Sequence, residues 1–187
     1  MFLNLLKRIA RELLKQNIPY MIIGGQAVLL YGEPRLTKDI DVTLGIGIDE
    51  LNKIKSIAGT LKLKSLLANV EDFVQKTMVF PVVDEKSGIR VDFIFSFSPY
   101  EKQAINRAKE IKFGKTEVRF AALEDVVIHK IVAERARDIE DIKSILLKNP
   151  DYDVHYIDKW LVEFDKSLDE NFREKFKILV KQLRENS

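Results

Sequence analysis

Two aspartates, Asp39 and Asp41, stand one residue apart in the run DIDVTL, which is rich in β-branched residues. A strand repeats every two residues, so both carboxylates project from one face. Side by side they repel, and each is costly to bury without a partner. A cation between them makes the pair favourable. Mg²⁺ is a hard cation that takes oxygen ligands and binds through one or two carboxylates plus substrate phosphates. Upstream, Gly24-Gly25 closes the apolar run YMII. Glycine lets the backbone approach a phosphate closely, and the helix expected over Gln26 to Tyr31 offers free N–H groups at its start. The stretch from Tyr20 to Leu44 thus combines a phosphate cradle with a carboxylate pair.

The elements that position this stretch can be read in order. Residues 2–16 carry an apolar stripe at helical spacing, stopped by Asn17 and Pro19. A strand over Tyr20–Ile23, a short helix, a loop around Gly32 and Pro34, and a strand over Ile40–Leu44 follow. Gly45-Ile46-Gly47 invites a dinucleotide-binding reading, but Glu50 stands where the third glycine belongs. Asp49 is expected instead to cap a helix bearing Leu51, Ile54, Ile57 and Ala58. Lys62 to Val74 has no clear period. Met78–Val83 and Ile89–Phe95 read as strands about a turn at 84–88. In the second, Ile89, Val91, Phe93 and Phe95 share one face, and Arg90, Asp92 and Ile94 the other. From the strand alone, Asp92 is either an exposed acid paired with Arg90 or a nearby lysine, or a site residue.

A helix over Pro99–Ala108 and a hairpin over Ile111–Phe120 complete an α/β part. From Leu123 onward the pattern is helical, over 123–135, 138–148, 153–167 and 170–185. The fold class is therefore α/β (α+β): a mixed sheet with helices packed on it over residues 1–121, then an all-helical region over 122–187 packed against it. In the first of these helices Lys130 interrupts an apolar stripe; it can snorkel, pair with a buried acid or face a cleft. Asp138 is expected as an N-cap with Asp141 as its capping-box partner, and His129 and His155 as solvated residues.

With 31 basic and 29 acidic residues, the formal charge of +2 is too balanced to make nucleic acid the main partner. The chain has no cysteine and two histidines, which excludes a disulfide framework and disfavours a zinc site. No apolar run approaches a membrane span, and the expected location is cytoplasmic.

Gly24-Gly25 followed by Asp39-Ile40-Asp41 resembles the signature of the nucleotidyltransferase superfamily that includes DNA polymerase β, and within it the small prokaryotic branch of AbiEii-type toxins. The resemblance covers roughly the first two thirds of the chain. It implies a mixed sheet and a third metal-site carboxylate from a later strand, here Asp92. It implies transfer of an NMP from an NTP, ATP among them, to a hydroxyl, with Mg²⁺ or Mn²⁺ held by Asp39, Asp41 and Asp92. Many members have Gly-Ser where this chain has Gly24-Gly25, so the phosphate contact would come from the backbone. KIVAERARDIEDI resembles a family segment whose lysine reaches the nucleotide, which assigns Lys130 to the phosphates, with Arg35 adding charge. The acceptor is left open between an RNA end such as tRNA, a protein side chain and a small molecule. A toxin–antitoxin role implies an antitoxin partner, with self-association as the other option. The alternative function is a catalytically idle NTP-binding member of such a pair.

Overall fold

The computed structural model describes residues 1–34, 36–96 and 98–185, and within these it has two compact units. The first unit is Met1–Gln26 with Leu36–Ala121; the second holds the described residues of Ala27–Arg35 and Ala122–Ser187.

The first unit is built on a mixed seven-stranded sheet. Its strands are β1 (Tyr20–Ile23), β2 (Asp39–Leu44), β3 (Lys64–Ser65), β4 (Val79–Asp84), β5 (Ile89–Phe95), β6 (Lys109–Phe113) and β7 (Thr116–Phe120), in the order β3-β4-β5-β2-β1-β7-β6. β2 and β5 lie side by side and parallel, and β1 runs antiparallel to β2. One face of the central pair is dry: Ile40, Val42, Leu44, Val91, Phe93 and Phe95 are all fully buried. Helix α1 (Phe2–Lys15) buries Leu5, Leu6, Ile9, Ala10 and Leu13 and packs on β7, where the Arg11 guanidinium donates to Thr116 Oγ1 at 2.9 and 2.7 Å.

Local chemistry explains most element ends, and several differ from the sequence reading. α2 (Gly24–Tyr31) begins at the first glycine rather than at Gln26, and its residues are divided between the two units. Asp49 caps no α-helix: it lies in a 3₁₀ turn, Ile48–Glu50, and α3 (Leu51–Thr60) follows without a side-chain cap. Consecutive turns of different pitch leave no N-cap position for it. The unpatterned segment forms β3 and α4 (Val70–Thr77), capped by the Asn69 side chain and ended by Met78 in the left-handed region. α5 (Pro99–Arg107) carries a complete capping box between Ser98 and Glu101.

The second unit centres on α6 (Leu123–Ala133), which packs on α7 (Ala136–Lys148), α8 (Val154–Leu168) and α9 (Phe172–Glu185). The Asn149 side chain donates to the Tyr31 and Ile145 carbonyls at 2.8 and 2.7 Å, and the Glu33 N–H donates to Ser144 Oγ at 3.2 Å. Gly32 is required there, because a Cβ would stand 2.6 Å from that hydroxyl. Asp138 is not an N-cap: Arg135 holds that position without a side-chain bond, and Asp138 lies inside the first turn. The sequence places an acid close enough to a helix start to suggest a cap, but here its carboxylate is drawn into the interior by Lys130.

Phe93 is fully buried on the face of β5 opposite Asp92, so Phe93→Ala opens a core cavity. Urea unfolding is expected to register a loss of about 3–5 kcal/mol, the usual range for a buried aromatic cut to alanine.

Candidate active site

Register decides which acids meet. In the parallel β2–β5 pair, Asp41 stands opposite Asp92 and Asp39 opposite Arg90. Directly paired residues share a face, so Asp39, Asp41, Arg90 and Asp92 form one polar patch, opposite the dry face. The burial pattern along β2 runs from exposed Asp39 through half-buried Asp41 to buried Thr43, so the patch opens at the start of the strand.

The glycine turn arrives at the same point. Because Ile23 is the antiparallel partner of Asp41, the next residue, Gly24, falls against that carboxylate. A Cβ on Gly24 would stand 1.9 Å from Asp41 Oδ2, and φ here is +63°. Only glycine meets both demands. The N-terminus of α2, whose first N–H groups have no partner within the helix, is therefore beside the acids. The Gln26 amide donates to the Thr37 hydroxyl, tying the segment before β2 back onto this turn.

Arg90 engages the patch through Asp92. Its Nε donates to Asp92 Oδ1 at 2.7 Å. The Arg90 pKa is raised above its ordinary value by that hydrogen bond first; slight burial opposes, and the charges of Asp92, Asp39 and Asp41 add to the rise. Asp92 is thus both the acid paired with Arg90 and the neighbour of Asp41. Among the described residues no three His, Cys, Asp or Glu side chains form a ready-made cation cage. A cation bound through one or two carboxylates plus phosphates does not need one. The donor set of hard oxygens, and the space kept open over Asp41 by the missing Cβ of Gly24, fit a divalent cation and a phosphate.

The other expected site residues are placed differently. Arg35 lies outside the described residues. Lys130, on α6, is 6% exposed, and its Nζ donates to Asp138 Oδ1 and Asp141 Oδ2, both at 2.6 Å. Of the roles open to it, pairing with buried acid is the one seen, and with two acids rather than one. A single ammonium cannot fill four carboxylate oxygens, and Asp138 Oδ2 is buried with no partner among the described residues. The aliphatic side of Lys130 lines an apolar cavity of about 330 Å³ with Ile131, Ile142, Phe176 and Leu179, all within the second unit.

His155 is exposed, as expected, but His129 is not a solvated residue. It is half-buried with its Nε2 out of reach of water, and burial lowers its pKa to about 4. Its place off the main stripe of α6 is covered because other helices pack around that helix. Arg90 is the residue that the sequence reading left out of the site. Its alternation with Asp92 on one face of β5 was the available signal.

A family model described as "Nucleotidyltransferase of unknown function (DUF6036)" matches residues 2–186. The chain belongs to this family. No curated protein matches it. Among solved structures, the antibiotic-resistance factor ANT(2'')-Ia is similar at 16% identity and TM-score 0.53, covering 98% of this chain and 95% of that one. An antigenic nucleotidyltransferase-like protein from Paracoccidioides brasiliensis is similar at 15% identity and TM-score 0.55, covering 95% and 91%. The lincosamide antibiotic adenylyltransferase LnuA, bound to lincomycin, is similar at 14% identity and TM-score 0.50, covering 71% and 89%. At these identities the likeness is one of fold, and it agrees with the mixed sheet and helical C-terminal region described above.

Two measurements follow from the buried groups. Lys130→Met removes the buried ammonium from Asp138 and Asp141, and the expected cost is about 3–5 kcal/mol in thermal or urea unfolding. An unchanged stability would show that the ammonium does not neutralise them. For His129, a folded pKa of about 4 lies below the ordinary 6.5. The unfolded chain takes up a proton that the folded chain refuses, so stability is full above pH 6.5 and falls as pH drops toward 4. The loss is about 3 kcal/mol by pH 4, from roughly 1.4 kcal/mol per unit. His129→Asn should flatten that part of the stability–pH curve relative to wild type.

Proposed function

We propose that the protein is a metal-dependent nucleotidyltransferase that moves an NMP from an NTP to a hydroxyl acceptor. The observation that carries this reading is the pairing of Asp41 with Asp92 directly beside Gly24. Two acids in register, half-buried and adjacent to a helix N-terminus, suit a metal-bound phosphate better than any structural purpose.

In this reading Asp39, Asp41 and Asp92 hold Mg²⁺ or Mn²⁺. A cation held there would supply charge stabilisation to the α-phosphate and the leaving pyrophosphate and would acidify the acceptor hydroxyl. Gly24 and Gly25 let the backbone reach the β- and γ-phosphates, whose charge the start of α2 favours. One of the three carboxylates receives the acceptor proton. Arg35 adds positive charge, and Lys130 joins it only by leaving Asp138 and Asp141. Fixed dipoles and charges of this kind act by positioning and electrostatics, which supply most of the catalysis in phosphoryl transfer.

The family and its fold support nucleotidyl transfer in general. We propose a cytoplasmic site of action; among the described residues no helix is long and apolar enough to cross a membrane. The Arg90–Asp92 ion pair favours a second reading, an NTP-binding partner in a toxin–antitoxin pair that does not turn over.

Incubation with Mg²⁺ and each labelled NTP, against tRNA, protein extract and small hydroxyl compounds, separates the two. Label transferred to one pool, with pyrophosphate released, is expected for the enzyme. Asp41→Asn should keep the fold and lower transfer roughly a hundredfold or more, since even outer partners of metal ligands are worth 10–100-fold. Full activity in a folded Asp41→Asn protein would remove the carboxylates from the chemistry.

A further inference from the structure

We propose that Arg90 is a resident counter-ion of Asp92 in the carboxylate patch, and that a divalent cation enters by displacing its guanidinium from Asp92. This rests on the reading of Asp39, Asp41 and Asp92 as metal ligands.

Three observations support it. First, register makes the patch like-charged: Asp41 faces Asp92 across two parallel strands, with Asp39 two residues away on the same face. Like charges directly opposite are destabilising in a sheet. Second, Arg90 is the cation that the described residues of these strands carry on that face. On that face β2 carries Asp39, Asp41 and Thr43, and β5 carries Arg90, Asp92 and Ile94. β4 adds Val79, Pro81 and Val83, opposite Ile94, Asp92 and Arg90 in turn. Third, the guanidinium is on Asp92 Oδ1 at 2.7 Å, while its side chain is 52% exposed. Asp92 is 16% exposed, so the pair is open to water on the arginine side, where screening makes it cheaper to break than a buried one. The arginine is therefore well placed to neutralise the patch and is not locked into it.

Two cations cannot share the same carboxylate oxygens without repelling each other. Metal alone must compete with Arg90. Metal arriving with a nucleoside triphosphate brings several negative oxygens, and the released guanidinium, a fork suited to phosphate, has a new partner at once. Arg90 is in this account a positioning residue. It couples occupancy of the metal site to the presence of the nucleotide, and it keeps the patch folded when both are absent.

The test is Mn²⁺ binding followed by the loss of the free-ion EPR signal, with and without a non-hydrolysable NTP analogue, together with thermal melts in EDTA. Arg90→Gln and Arg90→Met remove the charge, Met keeping the aliphatic stem; Arg90→Lys keeps the charge. The neutral variants are expected to bind Mn²⁺ alone roughly tenfold more tightly than wild type, a modest gain suited to a partly screened charge. With the analogue present the gap should narrow. In EDTA they should melt below wild type, and Arg90→Lys should stay near wild type in every measurement. Equal or weaker Mn²⁺ binding by folded neutral variants, with wild type binding Mn²⁺ normally, overturns the counter-ion role alone. Absence of Mn²⁺ binding by wild type and variants alike, even with the analogue, overturns the metal-site reading on which it stands.

Discussion

The repulsion between Asp41 and Asp92 is the constraint around which the first unit is arranged. It is fixed by hydrogen-bond register, not by side-chain choice: once β2 and β5 pair in parallel, the two acids are opposite each other. A slip of β2 by one residue would relieve it, but would also move Ile40, Val42 and Leu44 off the dry face. Burial of those side chains is worth far more than the repulsion costs, so the core holds the acids in place. The antiparallel pairing of β1 then brings Gly24 to Asp41, and the missing Cβ leaves room for a ligand. Sheet register, glycine turn and charge thus meet at one point.

The two units treat the same electrostatic problem in opposite ways. In each, a basic side chain engages a group of acids. In the second unit Lys130, Asp138 and Asp141 are all less than a tenth exposed, and the ammonium bonds both acids. Breaking that contact strands buried charge, so the cluster is a structural clamp between α6 and α7. In the first unit Arg90 is open to water and engages Asp92 from outside. An exposed cation exchanges at little cost; a buried one does not. Exposure rather than charge count separates a site poised for ligand from a fixed ion-pair network.

The sequence revealed the chemistry-bearing strands well because period-two alternation leaves little freedom. The segments DIDVTL and IRVDFIF each gave the right strand and the right face for every acid. It could not reveal that Asp41 and Asp92 are register partners, since pairing is a long-range property. Capping was harder. The box between Ser98 and Glu101 was not anticipated, whereas Asp49 and Asp138, plausible caps by local pattern, do not cap. Tertiary contacts drew Asp138 toward Lys130, and a 3₁₀ turn absorbed Asp49. Lys130 was visible as an interruption in an apolar stripe, but nothing local distinguished a cleft-facing lysine from one that answers two acids. His129 looked solvated because it lies off that stripe; a helix packed by several others has no fully wet side.

The central claim is that the Asp39–Asp41–Asp92 patch beside Gly24 is a metal and triphosphate site. Its most direct test is a crystal structure with Mn²⁺ and a non-hydrolysable NTP, read by anomalous scattering. The account predicts manganese peaks within ligand distance of Asp41 and Asp92, the phosphates against the start of α2, and the Arg90 guanidinium moved off Asp92. Manganese bound elsewhere, with Arg90 still on Asp92 and no nucleotide near Gly24, would contradict it.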